Sequence, residues 1–226
     1  MAKAKRVDAN AREALTRDAL TDETFARALG ELSRRDTDLA RVVTEFGVPE
    51  MWEREPGFAS LVFIMLEQQV SLASARAAYE RLLTFLPSLT PENFLRLDDA
   101  TLRAAYFSRQ KTVYVRDLAR RIVAGELDLE GLAAKTDEEA REELMRVKGI
   151  GPWTADVYLL RALMRPDAWP AGDLALIIAA ERVKRLPERP TFVRMEELGD
   201  LWRPWRAVAA RILWQFYLHA PKSRKA

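Results

Sequence analysis

Between Met145 and Thr154 the chain reads Met-Arg-Val-Lys-Gly-Ile-Gly-Pro-Trp-Thr. Two glycines one residue apart let a backbone turn sharply and let a ligand approach it closely, and Pro152 suits the first position of a helix. The segment therefore reads as a helix, a hairpin and a second helix. Outward N–H groups of such a hairpin, and of the next helix's first turn, can hold an anion such as a DNA phosphate. The same residues also make a plain tight turn between helices, and Gly-Ile-Gly alone does not decide between the two. Further on, Trp169-Pro170-Ala171-Gly172-Asp173-Leu174 places an aspartate where another helix begins. An aspartate there is most often only an N-cap. The helix dipole and N–H groups nevertheless favour its ionised form, which makes Asp173 a poor general acid and a good fixed negative charge.

The elements that must position these groups are helical throughout. Apolar residues recur at i, i+3, i+4 and i+7, and period-two alternation is scarce. One stripe runs through Phe58, Leu61, Val62, Met65 and Leu66, and a second helix starts after Ser71 with Ala75, Tyr79, Leu82 and Leu83 inward. Thr90-Pro91 and Asp98-Asp99 each read as a cap opening a helix. Thr136-Asp137-Glu138-Glu139 has the spacing of a capping box, for a helix ending near Val147. The clearest stripe is Trp205, Val208, Ala209, Ile212, Leu213, Phe216 and Tyr217, with Arg203 and Arg211 pointing away from it and Arg206 at its edge, available to solvent or phosphate. The expected class is all-α, with two helical lobes: 1–55 together with 166–226, and 56–165 carrying the hairpin motif at about 137–164.

Composition narrows the chemistry. Cysteine is absent from the 226 residues, which excludes disulfides, thiolate metal sites, cysteine-held iron–sulfur clusters and cysteine nucleophiles. The one histidine, His219, cannot build a triad or a metal cluster alone. Lys and Arg number 36 against 34 Asp and Glu, a balance that permits nucleic acid without announcing it. The opening Met1-Ala2-Lys3-Ala4-Lys5-Arg6 is followed by no apolar core, so no export signal is read. The longest apolar run, Leu174 to Ala180, is far short of the roughly 20 residues of a membrane helix. A soluble, intracellular protein is expected.

Three stretches together resemble the helix-hairpin-helix (HhH-GPD) DNA glycosylases, and within them the 3-methyladenine DNA glycosylase II, or AlkA-type, family. They are Leu66-Glu67-Gln68-Gln69-Val70-Ser71, then Val147-Lys148-Gly149-Ile150-Gly151-Pro152-Trp153-Thr154-Ala155, and Leu201-Trp202-Arg203-Pro204-Trp205-Arg206 running on to Trp214. The resemblance implies a base-flipping repair enzyme acting on double-stranded DNA with alkylated bases, working as a monomer from a cleft between its lobes. Asp173 matches the catalytic aspartate. Gly149, Gly151, Trp153 and Thr154 match the hairpin positions that hold a phosphate, and Lys148, where proline is common, can add a contact. Main-chain carbonyls of Met145, Val147 and Ile150 would hold a structural Na+ or K+. Gln69 stands at the position that wedges into the duplex, and Trp214 matches an aromatic of the base pocket. The other tryptophans named in the chain, Trp52, Trp169, Trp202 and Trp205, are expected to fill core.

Departures from the pattern carry expectations too. Some 65 residues precede the first motif, so this reads as the compact form without an N-terminal sheet domain. Leu174 and Val157 stand where some relatives place tyrosines, giving a thinner aromatic cage. Relatives that cut the strand use a lysine amine in the second helix's first turn to form a Schiff base. This chain has Trp153 there, so base release without lyase activity is expected, with no catalytic cofactor and no iron–sulfur cluster. The competing readings are a non-catalytic helix-hairpin-helix DNA-binding protein and an all-helical interaction scaffold.

Overall fold

The computed structural model describes residues 19–221; the basic start and the Lys222–Lys225 tail lie outside the described residues. The described residues are all-α, with no strand. The chain divides into two compact units, Met1–Glu53 with Met164–Ala226, and Arg54–Leu163.

In chain order, the first unit opens with α1 (Asp22–Arg35) and α2 (Thr37–Phe46). The second unit holds α3 (Phe58–Glu67), α4 (Leu72–Leu83), α5 (Pro91–Leu95), α6 (Asp99–Ala104), α7 (Arg109–Val123), a 3-10 turn at Gly131–Ala134, α8 (Asp137–Met145) and α9 (Pro152–Arg161). The first unit is completed by α10 (Leu174–Val183), α11 (Phe192–Asp200) and α12 (Arg206–His219). Short polar side chains start most of these helices by satisfying N–H groups that the helix itself leaves open. Ser71, Thr90, Asp98 and Thr136 all cap as their sequence context suggests, and Thr136 forms the full reciprocal box with Glu139.

Within the second unit α3 is central. Its residues Ser60 to Glu67 are all buried, so the expected stripe is in fact an almost fully covered helix packed by α4, α7 and α9. Gly57 starts it, donating its N–H to the Tyr158 hydroxyl at 2.8 Å; burial pushes that phenol up to about 12. In α4 Ala75, Ala78 and Leu82 face inward, whereas Leu83 is exposed, contrary to expectation. The next helical position in line with Ala75 and Ala78 is Leu82, and Leu83 is turned off that line.

In the first unit α12 packs against α10, α2 and α1. It is buried on every face from Arg206 to Leu213, so it has no outward side there. That overturns the reading of Arg211 and Arg206 as open to solvent. Arg211 is fully buried, its Nε donating to the Met51 carbonyl at 2.7 Å and its Nη1 to the Ala207 carbonyl at 3.0 Å. Arg206 is buried against Asp167 at 3.0 Å, whereas Arg203, ahead of the helix, is exposed as expected and pairs with Asp167 and Asp200 at 2.6 and 2.8 Å. Buried guanidinium groups persist only with such partners. Tyr217 at the helix's far end is exposed and lies outside the core stripe.

Candidate active site

The approach to Asp173 is a pair of overlapping turns. Ala171 donates to the Trp169 carbonyl at 3.0 Å and Asp173 to the Pro170 carbonyl at 2.9 Å, while the Trp169 indole is pinned in the core on the Met195 carbonyl at 3.1 Å. Asp173 arrives at the N-cap of α10 in extended conformation and half-buried. Its Oδ1 accepts the Leu176 N–H at 2.9 Å, as any cap would. The same oxygen also accepts the indole Nε1–H of Trp214, at 3.1 Å. A cap needs only the first of these bonds. The second reaches across from α12 and fixes the carboxylate's rotation about its side-chain axis.

Trp214 is half-buried and meets Trp52 edge to face, with ring centroids 5.7 Å apart and planes at 66°. Trp52 was expected to be core; it is only half-buried and holds a left-handed backbone, φ +49°. That conformation is costly for a bulky residue and is sustained only where neighbours enforce it. Here the Arg211 guanidinium grips the carbonyl of the preceding Met51. Trp169, Trp202 and Trp205 are buried, as expected. The first unit thus places a fixed carboxylate beside two accessible indoles, with Leu174 largely exposed next to it. An anionic oxygen pair can stabilise developing positive charge, and indole faces attract electron-poor rings.

In the second unit the hairpin joins α8 to α9. Gly149 has φ +89°, and a Cβ there would collide with the ring of Tyr114, so this glycine is required by the fold itself. Gly151 is different: its φ of −100° is open to any residue, and a Cβ there would meet nothing within 4 Å. Gly151 gives α9 no side-chain cap, and Pro152 follows at N1. Lys148 is exposed, with its main-chain N–H on Asp117 at 3.2 Å, and Trp153 is half-buried. Thr154 is buried and its hydroxyl accepts from Gln68. Met145 ends α8 and is partly exposed, while Val147 and Ile150 are buried and joined by the Ile150 N–H to Val147 carbonyl bond at 3.1 Å. Gln69 is exposed directly after α3 and also has a left-handed backbone, φ +58°.

A family model described as HhH-GPD superfamily base excision DNA repair protein matches residues 62–204. The chain belongs to the HhH-GPD superfamily. The matched stretch of this HhH-GPD chain includes Gln69, the hairpin and Asp173, and leaves Trp52 and Trp214 outside. A putative DNA-3-methyladenine glycosylase of Bacillus subtilis, YfjP, is 34% identical over 125 residues, 55% of this chain and 44% of that one. A second Bacillus subtilis protein, DNA-3-methyladenine glycosylase, is 28% identical over 181 residues, 75% of this chain and 58% of that one. The chain therefore spans about half the length of these two curated relatives. The solved structure of Schizosaccharomyces pombe 3-methyladenine DNA glycosylase (Mag1) in complex with abasic DNA superposes with a TM-score of 0.80 at 28% identity, covering 88% of this chain and all of that one.

Two residues of this HhH-GPD chain escaped the sequence reading. Gln68 donates its side-chain amide to the Gly149 carbonyl at 2.9 Å and to the Thr154 hydroxyl at 2.8 Å. Lys111 donates its ammonium to the Leu66 carbonyl at 2.6 Å, and burial pulls the Lys111 pKa down. Partners so far apart in sequence leave no local spacing to read.

Proposed function

We propose that the chain is a monofunctional DNA glycosylase that turns alkylated purines of the 3-methyladenine or 7-methylguanine type out of duplex DNA. It hydrolyses their N-glycosidic bond and leaves an abasic site for base excision repair. The observation that carries this reading is the Asp173 carboxylate, held by both Leu176 and Trp214 beside the Trp52 indole. The abasic DNA in the Mag1 complex, the kind of product such a step leaves, supports it.

Glycoside hydrolysis generally uses two carboxyl groups, one of them to protonate the leaving group. A ring-alkylated purine already carries positive charge. When the bond from C1′ breaks, the base takes both electrons and departs neutral, without a proton from the protein. The sugar is left oxocarbenium-like, water adds to C1′, and the water's proton passes to solvent. Asp173 serves by holding negative charge next to that sugar and orienting the water. Trp214, with Trp52 behind it, would take the cationic base on its face, an attraction of about 0.5 to 2 kcal/mol. A damaged base also unstacks more readily, which adds selectivity before any pocket contact.

In the second unit, main-chain groups at Gly149, Gly151, Trp153 and Thr154, with the Lys148 ammonium, would bind a phosphate, and Gln69 would fill the gap left by the flipped nucleotide. Carbonyls of Met145, Val147 and Ile150 would be the groups to hold a structural Na+ or K+. Helix-end carbonyls such as that of Met145 lack an i+4 partner, and the Val147 carbonyl keeps a second lone pair beside its bond to Ile150. Such an ion would brace the hairpin and take no part in bond cleavage. Trp153 offers no amine for a Schiff base, so strand cleavage is not expected, and hydrolysis by water calls for no cofactor. No described helix is long and apolar enough to cross a membrane. A monomer acting on chromosomal DNA in the cytoplasm suits this chemistry.

The deciding experiment incubates the purified chain with methylated duplex DNA and looks for free 3-methyladenine or 7-methylguanine. Release is expected. Duplex binding without release at any enzyme excess would leave a non-catalytic DNA-binding protein, and absence of both would leave a scaffold.

A further inference from the structure

Gln69 is a side chain that has to be pushed into a stacked duplex, yet it sits on a turn outside any helix, in a backbone conformation that L side chains rarely adopt. A loop tip of that kind would yield under load unless something enforces it. Two clamps hold the chain leading into it. Before it, the buried end of α3 is held by the Lys111 ammonium on the Leu66 carbonyl, at 2.6 Å. Immediately before it, the Gln68 amide donates to the Gly149 carbonyl at 2.9 Å and to the Thr154 hydroxyl at 2.8 Å. Both acceptors belong to the hairpin: Gly149 is its left-handed residue and Thr154 lies in the first turn of α9. The ring of Tyr114, from α7, packs so closely on Gly149 that it leaves no room for a Cβ there.

We infer that Gln68 is a positioning residue that ties the turn carrying Gln69 to the hairpin, so that docking of a phosphate on the hairpin and insertion of Gln69 occur as one rigid movement. This rests on the reading of Gln69 as the duplex wedge. A side-chain amide suits the task because one NH2 group supplies both donors. Glutamate would set its oxygens against the Gly149 carbonyl, which can only accept, and leucine would offer nothing.

The test uses a duplex with an abasic-site analogue opposite 2-aminopurine, whose fluorescence changes when a side chain enters the gap, alongside single-turnover release of 7-methylguanine from duplex DNA. Gln68→Leu is expected to cut the fluorescence amplitude at saturating protein at least fivefold while duplex affinity stays within threefold. Release should fall about tenfold, and Gln68→Leu with Gln69→Ala should be no slower than Gln69→Ala alone. Thr154→Val, which removes one of the two acceptors, should show a smaller loss of the same kind and decides the matter if Gln68→Leu does not fold. Full amplitude in the variant that folds, or a double variant whose losses multiply, overturns the inference. A wild-type chain that releases no base overturns the glycosylase reading itself. One that releases base as fast with Gln69→Ala overturns the wedge, and this inference with it.

Discussion

Replacing Asp173 by asparagine separates the two things this residue can be. Asparagine caps helices as well as aspartate does. Its carbonyl oxygen can keep both the Leu176 N–H bond at 2.9 Å and the Trp214 indole bond at 3.1 Å. What the substitution removes with these two bonds kept is the charge. A full charge about 4 Å from an oxocarbenium-like sugar, at an effective dielectric of about 20, is worth about 4 kcal/mol. That corresponds to a fall of about 10³-fold in the rate of the chemical step. Single-turnover release of 7-methylguanine from a duplex gives the rate, gel shift with an abasic-analogue duplex gives binding, and thermal unfolding gives stability. Binding should hold, and Tm should stay within about 2 °C, because less than 1 kcal/mol is at stake in a chain of this size. Asp173→Ala is the companion: it loses the cap as well, about 1 kcal/mol, and should melt measurably lower. A loss of release below tenfold in Asp173→Asn would show that the carboxylate is a helix cap and nothing more.

Gly151→Ala should fold normally, since its Cβ enters open space, and should weaken binding to damaged and undamaged duplexes alike; a loss confined to lesion-bearing DNA would contradict a phosphate contact. Gly149→Ala should instead lower Tm, because a left-handed φ and the Tyr114 ring both oppose it. Arg211→Met removes the donor to the Met51 carbonyl and should cost about 2 kcal/mol of stability, read as a lower denaturation midpoint, together with affinity for the damaged base through Trp52. Acid unfolding tests Asp36: burial opposes its charge, but the Trp202 indole N–H and Lys184 outweigh that and hold its pKa below 3.8. A carboxylate depressed in the folded state contributes stability above its unfolded pKa and loses it as pH falls through the folded value. Lys184→Met should therefore melt lower at pH 7, and the two melting curves should converge well below pH 3.8; a constant gap would exclude this pair as its source.

What could be read from the sequence and what could not divides by the range of the interaction. Thr90, Asp98, Thr136 and Asp173 cap helices through bonds to N–H groups three residues on, so residue type and spacing suffice. The all-helical class follows from the same short-range periodicity. The arginines of α12 defeat that logic. A helix wheel sends Arg211 to the polar side, but α12 has no polar side over that stretch, and the guanidinium is neutralised in hydrogen-bonding terms by a carbonyl from Met51, far away in sequence. Trp52 likewise has nothing nearby to mark it as more than core, because its neighbour Trp214 comes from the other end of the chain. Asp173 was legible as a cap and as a motif position, whereas its bond to Trp214 was not, although that bond is what distinguishes it from the caps at Thr90 or Asp98.

That distinction bears on why a lone carboxylate can be enough. Two donors, the Leu176 N–H and the Trp214 indole, converge on one oxygen of Asp173 and fix the direction in which the carboxylate faces. The carboxylate is thus oriented before any sugar arrives, so no reorganisation is required as positive charge develops. On the proposed mechanism, such a site would be fast only with bases that depart without help. Under the proposed function, selectivity for cationic, alkylated purines comes from reliance on the base's own charge as much as from the indoles, because a neutral, undamaged purine would need a proton to depart. On that argument the sparse aromatic lining, with Leu174 largely exposed where a larger ring could have stood, loosens the choice among damaged bases without exposing normal ones to attack.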